Sequence, residues 1–503
     1  MAGYLDVPGI EAALVDLAAR YPSLCTRLEL EEKTYEGRTC SALKLGRSAG
    51  ALNAVLLLGG VHAREIVNPE ALVRLAYQLC QAYSAGAGLS FGSKSFAAAD
   101  VKLLVENLDL YFFPQVNPDG RAYAMSTDPW WRKNRRPDAG SRCVGVDVNR
   151  NFDFLWSSGI GTSANPCSEV YRGAAAFSEV ETRNVKSLLA AYPITVLVDV
   201  HSYSELILYP WGDDDNQVST PTMSFSNPSY DGVRGATGDG TYREYIPEAD
   251  LQWYAATADK VKAAIAAVRG RSYKPEPSAG LYTTSATSTD YGYSRHFTDG
   301  AQRKVRTFSI ETGREFQPPY AEGLQVMAEA SAGIVELCLS SVCIVESLSA
   351  GLSLATRMGD LRRLREDVLM TSPVGREYAA LLEQHNRELL TMASRSREVR
   401  EQGLAALLEV AEVALTAHEP KPRVFDAATI ARARKVVALL AKRARPELAA
   451  ALQRIDRDLP RFQGKSVAGG LRAIGRKTPA RLARARPQRR TPRASARRAE
   501  PQA

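Results

Sequence analysis

No run of 18 or more apolar residues occurs in this chain, which removes a membrane-spanning helix from consideration. Cysteine is sparse, seven in 503 residues; that is no disulfide scaffold, and the odd count leaves at least one thiol unpaired within the chain. Histidine is scarcer still, at five, so any histidine serving a metal or a proton comes from a short roster. A net positive charge is missing from most of the sequence despite a total of +8. Thirteen Lys or Arg and a single acid, Glu500, fall within 461–503, a net of +12 that leaves −4 for everything before it. The basic character therefore belongs to the tail and argues for no nucleic-acid or membrane affinity in the body of the chain. No internal repeat is visible. The N-terminus, MAGYLDVPGIEAALVDLAARYPSL, has neither a charged leader nor an apolar core and reads as an amphipathic helix, so the expectation is a chain without an export signal. The cysteine count leaves the redox compartment open.

What is present is an apolar fraction of 45%, ample for a large core, on a chain too long for one typical domain. Up to about residue 345, short apolar runs alternate with helical patterns, which predicts an α/β domain on a mixed, mostly parallel twisted sheet flanked by helices. Buried strands are expected at 54–60, 108–115, 194–200, 205–210 and 305–311, and helices near 68–84, 178–191, 252–269 and 321–340. The polar segment 212–249 exceeds an ordinary connection and predicts a surface loop that shapes a site. From 346 to 460 the texture turns to Leu, Ala, Arg and Glu at helical spacing. Leu404, Leu408, Ala411 and Leu415 share one face, as do Leu382, His385 and Leu389, which predicts a separate helical region of unassigned role. Residues 461–503, Arg-rich and too charged to bury a core, read as a disordered tail.

A catalytic zinc needs three protein ligands, commonly His and a carboxylate, with one position left open. GGVHAREIVNPE sets His62 and Glu65 three apart directly after a predicted strand, and VLVDVHSYSELILYP sets His201 at the end of another. Two strand ends can meet at one edge of an α/β sheet, where sites usually form. A lone His-x-x-Glu is common by chance, and each of these histidines could equally be a hydrogen-bonded residue without special role. The surrounding motifs decide between these readings. YEGR at 35–38, HARE at 62–65, NPDG at 117–120, WRKNR at 131–135, GVDVNRNFD at 145–153, PCSEVYRG at 166–173, HSYSELILYPWG at 201–212 and FSIETG at 308–313 follow one another in order. With these motifs, residues 5–343 resemble the catalytic domain of the zinc carboxypeptidases of the carboxypeptidase A and B family.

The resemblance implies one zinc ion held by His62, Glu65 and His201, and Asp147 hydrogen-bonded to the first ligand histidine. It implies Glu311 as the general base that takes a proton from water and delivers it to the leaving amine. Arg132 matches the residue facing the oxyanion, Asn149 and Arg150 the clamp on the substrate's terminal carboxylate, and Tyr282 the mobile tyrosine that closes over substrate. Arg64 resembles a secondary contact. Peptide or protein C-termini are the implied substrates. Thr289, just before Asp290, occupies the position where an apolar residue marks A-type and an acid marks B-type preference; being neither, it predicts neutral C-terminal residues. TTSATST replaces a Gly-containing stretch of the family. TGREFQPPY after Glu311 is short and is similar to bacterial members. Cys143 and Cys167 match a family disulfide, which favours an oxidising, extracellular setting; the missing leader favours the cytoplasm, and both stay open. No propeptide is expected, since the resemblance begins within the first ten residues.

Other readings compete. The same chemistry could act on cell-wall or γ-linked peptides, and a catalytically silent peptide-binding domain with a polyanion-binding tail is a reading of another class. The silent reading is disfavoured because all three ligands, Arg132 and Glu311 are present. The Arg-rich tail could bind polyanions without specificity, though it lacks interleaved aromatics for stacking bases; a solvated tail is the simpler expectation. The segment from Cys338 onward bears a faint likeness to short cysteine-containing C-terminal boxes of bacterial proteins.

Overall fold

A computed structural model describes residues 3–47, 53–138, 140–342, 364–419 and 421–475. Twelve strands form within it: β1 (Cys25–Glu29), β2 (Ser41–Leu45), β3 (Ala54–Gly59), β4 (Leu89–Phe91), β5 (Lys94–Phe96), β6 (Asp109–Phe113), β7 (Ile194–His201), β8 (Leu206–Tyr209), β9 (Asn216–Gln217), β10 (Glu244–Tyr245), β11 (Lys274–Pro277) and β12 (Arg306–Glu311). Eight of them make one sheet in the order β1-β2-β6-β3-β7-β12-β8-β11. The pairs β3/β6, β3/β7, β7/β12 and β8/β11 are parallel, while β1/β2, β2/β6 and β8/β12 are antiparallel. The mixed, mostly parallel sheet expected from the sequence is therefore present. Its centre reads as continuous apolar runs because strands covered on both faces have no solvent side: every residue of β3 and β6 is buried.

Helices flank this sheet: α1 (Val7–Arg20), α2 (Val67–Ala85), α3 (Ala98–Asn107), α4 (Pro118–Ser126), α5 (Val180–Ala191), α6 (Glu248–Arg269), α7 (Ser288–Thr298) and α8 (Tyr320–Ser341). The N-terminal amphipathic pattern is α1, whose Asp6 caps by accepting from the Gly9 N–H and whose Ile10, Leu14 and Leu17 recur at i, i+4, i+7 into the core. α8 packs on both α2 and α6, and α7 lies against β7 and β12. Two of the family-like motifs prove to be joined to each other: Thr34 and Arg38, around YEGR, both bond Asp119 of NPDG, at 2.7 and 2.6 Å. Segment 212–249 is largely irregular, as expected, with only the short β9–β10 pair and one 3₁₀ turn before α6 begins at Glu248.

Beyond the sheet, helices span Pro373–Arg395, Arg397–Ala414, Ala427–Ala441, Pro446–Asp458 and Val467–Gly475. Leu404 and Ala411 are buried together with Leu448 and Leu452 or Phe425 and Ile430, in two small apolar clusters. His385 and Leu389 are buried, but Leu382, expected on their face, is 37% exposed. The bundle meets the sheet domain where Arg387 pairs with Asp100 at 2.6 Å and Glu336 at 3.3 Å. The expected boundary at 461 is corrected: Val467, Leu471 and Ile474, again at i, i+4, i+7, are buried, so the helical region runs to 475 despite its arginines and lysines. The remaining tail, 476–503, with its polyanion reading, and the part of the cysteine-box likeness that falls on 343–363 lie outside the described residues. Among the described residues no helix is long and apolar enough to cross a membrane.

Candidate functional site

Three neighbouring strand ends build the site. β3 runs into a turn whose Gly60 has φ +63°, and a Cβ there would stand 2.9 Å from the Pro69 ring, so glycine lets the chain reverse and place His62 and Glu65 over the sheet edge. His201 is the last residue of β7 and pairs in register with Glu311, the last residue of β12. The donor atoms of His62, Glu65 and His201 all lie within 4.8 Å of one another, and all three residues are buried. Glu65 Oε1 is 2.7 Å from His62 Nδ1, and its Oε2 is 3.1 Å from His201 Nδ1. Glu65 Oε2 also accepts the Ser202 N–H at 3.0 Å.

The far side of each imidazole is held by a carboxylate. His62 Nε2 is 3.3 Å from Asp147 Oδ1, and His201 Nε2 is 3.0 Å from Asp199 Oδ2. A neutral imidazole that donates from Nε2 presents the Nδ1 lone pair inward, so two nitrogens and a carboxylate converge, the donor set a tetrahedral zinc takes with one position open. The residues present fit such an ion. Asp147 also caps the turn Val148–Arg150 by accepting the Asn149 N–H and engages Arg132 Nε and Nη2 at 3.1 and 2.8 Å. Burial opposes ionisation of Asp147, yet Arg132 and Arg150 outweigh it and hold the carboxyl well below its ordinary range. Burial likewise opposes charge on His201, while Asp199 and Glu65 prevail and raise it well above the usual imidazole range.

Arg150 is buried and spends three N–H groups on the protein: Nε on the Gly161 carbonyl, Nη1 on the Asn149 carbonyl and Nη2 on the Tyr282 hydroxyl, at 3.1, 2.7 and 3.3 Å. Tyr282 itself is 52% exposed. Thr289 is buried, its hydroxyl 3.3 Å from that of Thr287. The next residue, Asp290, accepts from the Gly212 N–H at 3.2 Å and the Thr287 hydroxyl at 2.9 Å, and burial pushes its carboxyl up to about 7. Burial also pushes Glu311 up, to about 8. Arg64 stands off the donor triad: its guanidinium lies over the Phe316 ring, 4.3 Å from the centroid, and Nη1 reaches the Trp130 carbonyl. Cys143 and Cys167 are disulfide-bonded.

Several residues at this edge escaped the sequence reading. Asp199 was legible in principle, because VDVH places it two residues before His201 and hence on the same face of β7. Ser288, whose hydroxyl donates to Asp199 Oδ2, carried no signal. Trp130, 63% exposed, and Tyr203 flank Phe316 with edge-on ring contacts and form an aromatic rim beside Arg64.

The model of a family described as zinc carboxypeptidase matches residues 10–331. Among curated proteins, carboxypeptidase B of Astacus astacus is 38% identical over 213 residues, 42% of this chain and 64% of that protein. Metallocarboxypeptidase A of Arthroderma otae is 38% identical over 186 residues, 36% of this chain and 41% of that protein. Zinc carboxypeptidase A 1 of Anopheles gambiae is 36% identical over 211 residues, 42% of this chain and 45% of that protein. The chain thus spans less than two thirds of the length of each of these relatives. All three are eukaryotic, so the likeness to bacterial members expected from TGREFQPPY finds no support among them. Of solved structures, bovine thrombin-activatable fibrinolysis inhibitor in complex with tick carboxypeptidase inhibitor is similar with a TM-score of 0.52 and 23% identity, over 67% of this chain and 96% of that one. Carboxypeptidase A from Helicoverpa armigera gives 0.50 and 22%, over 67% and 74%. At these identities the shared property is the fold.

Proposed function

The chain belongs to the zinc carboxypeptidase family, and on that premise we propose that it removes single residues from the C-termini of peptides, with His62, Glu65 and His201 holding one zinc ion. The observation that carries this reading is the convergence of those three donors within 4.8 Å beside a buried Arg150 that keeps part of its fork uncommitted. When bound there, zinc lowers the pKa of a coordinated water toward neutrality and polarises the scissile carbonyl.

The residues around it have separate tasks. Asn149 and Arg150 bind the free carboxylate of the substrate, for which the planar guanidinium suits two parallel hydrogen bonds. Tyr282, exposed at the mouth and bonded to Arg150, closes over the bound chain end. Arg132 is fixed by Asp147 through Nε and Nη2, so its remaining terminal nitrogen serves the negative charge that develops on the carbonyl oxygen. Glu311, in register beside His201, accepts the proton of the attacking water and gives it to the leaving amine. Thr289 offers an uncharged hydroxyl, and the Asp290 carboxyl beneath is engaged by Gly212 and Thr287, which supports a preference for neutral C-terminal side chains. Arg64 and the aromatic rim receive the preceding residues of the peptide.

Hydrolysis of a panel of blocked dipeptides that differ in the C-terminal residue, with and without a zinc chelator and alongside Glu311→Gln, tests the proposal. Cleavage is expected for free acids only, to stop on chelation and return with zinc, and to fall about 10²- to 10⁴-fold in the variant. Activity that survives chelation would sink it.

A further inference from the structure

The strand ITVLVDVH is apolar apart from Thr195 near its start and, at its end, Asp199 and His201. Asp199 is fully buried. A carboxylate taken out of water costs several kcal/mol unless donors compensate it. Its compensation is concentrated on one oxygen: Oδ2 lies 3.0 Å from His201 Nε2 and accepts the Ser288 hydroxyl at 2.5 Å, while Oδ1 has no hydrogen-bond partner among the described residues. The carboxylate is aimed at the back of a single imidazole.

Ser288 connects that contact to the substrate clamp. Its backbone N–H donates to Asn149 Oδ1 at 2.8 Å, which fixes the orientation of that amide and leaves its Nδ2 3.4 Å from His201 Nε2. One residue at the start of α7 thereby orders both the carboxylate behind His201 and the amide that faces the substrate's terminal carboxylate.

We infer that Asp199, secured by Ser288, is a positioning residue that fixes the tautomer and ring orientation of His201 for the metal, in parallel with Asp147 behind His62. The inference rests on the metal reading proposed above. Its physical content is that the Asp199 carboxylate keeps the proton of His201 on Nε2, leaves the Nδ1 lone pair free for the ion, and raises the basicity of that nitrogen.

The test uses the full chain, with zinc as the probe. Zinc affinity is measured by competition with a chromophoric chelator for wild type, Asp199→Asn and Ser288→Ala, together with melting of the metal-free proteins and kcat at rising zinc concentration. Asp199→Asn is expected to bind zinc about 10- to 100-fold more weakly, to melt no lower than wild type when metal-free, and to recover kcat as zinc is raised. Ser288→Ala, which keeps the backbone bond to Asn149, is expected to weaken zinc binding by a smaller factor in the same direction. Zinc affinity of Asp199→Asn within twofold of wild type overturns the inference, as does a kcat that stays low at saturating zinc with a lowered melting point, the mark of a purely structural role. Should Asp199→Asn not fold, unchanged zinc affinity in Ser288→Ala overturns it equally. Wild type that binds no zinc overturns the metal reading itself, whereas tight binding by wild type and variants alike removes only the role of Asp199.

Discussion

Truncating Arg150 gives the sharpest test of exopeptidase action, because the structure fixes how much of its guanidinium is available. Of five N–H groups, three are engaged by the Gly161 carbonyl, the Asn149 carbonyl and the Tyr282 hydroxyl, which leaves one on each terminal nitrogen. Those two can meet the two oxygens of a terminal carboxylate. A hydrogen bond to a charged group contributes about 1.5–3 kcal/mol; the lower half of that range applies because Tyr282, bonded to Arg150, is itself half exposed. Two such bonds give about 3–4 kcal/mol, or about 10²- to 10³-fold in kcat/KM at 1.36 kcal/mol per decade. The assay compares a blocked dipeptide bearing a free C-terminal acid with the same peptide as its C-terminal amide, in wild type and Arg150→Ala. The acid should lose the full factor and the amide little, so that the ratio of the two collapses. Equal losses on acid and amide would refute the clamp and recast Arg150 as a scaffold residue that ties Gly161 to Tyr282.

The other expectations follow from groups at increasing distance from the cleft. Thr289→Asp should shift C-terminal preference toward Lys and Arg on the same peptide panel, and an unchanged preference would mean that this residue does not line the pocket. Glu181 is buried beside Glu179, the two sharing the Asn134 amide at 3.1 and 2.7 Å, and burial, aided by Glu179, pushes its carboxyl up to about 8. The unfolded chain releases that proton near its ordinary value of 4.5 while the folded chain keeps it, so Glu181 destabilises the fold increasingly from pH 4.5 to 8. At 1.36 kcal/mol per pH unit the cost is about 3 kcal/mol at pH 7. Glu181→Gln should therefore stabilise by about that amount in urea titrations at pH 7 and by almost nothing at pH 4; an equal gain at both would exclude the carboxyl as its source. Cys143→Ser opens a loop of sequence separation 24 and should cost about 3 kcal/mol, read as a lowered urea midpoint that wild type reproduces only under reducing agent.

How much of this was legible in the sequence depended on whether burial left a period. β3, β6, β7, β8 and β12 were readable because strands covered on both faces become unbroken apolar runs, and their expected limits fall within two residues of the observed ones. β11, KPEP, was not, since two prolines in four residues argue against a strand; it survives as the outermost strand, beside β8 only, where a missing N–H is tolerated. α7, STDYGYSRHFT, was missed for the opposite reason. Ser288 through Arg295 are all buried, so no polar face alternates with an apolar one, and the helix carries Ser288, Thr289 and Asp290 into the site without a periodic signature. The last helix, 467–475, was hidden by the arginines around it, although its three buried positions repeat at helical spacing.

The site shows the same division more sharply in its histidines. His62, His201, His296 and His385 are all largely buried, and nothing in a histidine's immediate neighbours separates a ligand from a packed ring. The partner on the second nitrogen does. His296 Nδ1 sits against the Tyr293 carbonyl, and burial, with Lys304 nearby, pushes it down to about 4, which leaves a neutral ring wedged against Phe297. His62 and His201 instead each have one nitrogen on a buried carboxylate and the other turned toward Glu65. A buried acid is tolerated only where something positive or strongly donating faces it. Asp147 and Asp199 therefore mark these two rings as the ones whose Nε2 is held from behind and whose Nδ1 is turned inward, and of those two acids only Asp147 stood in a motif that announced it.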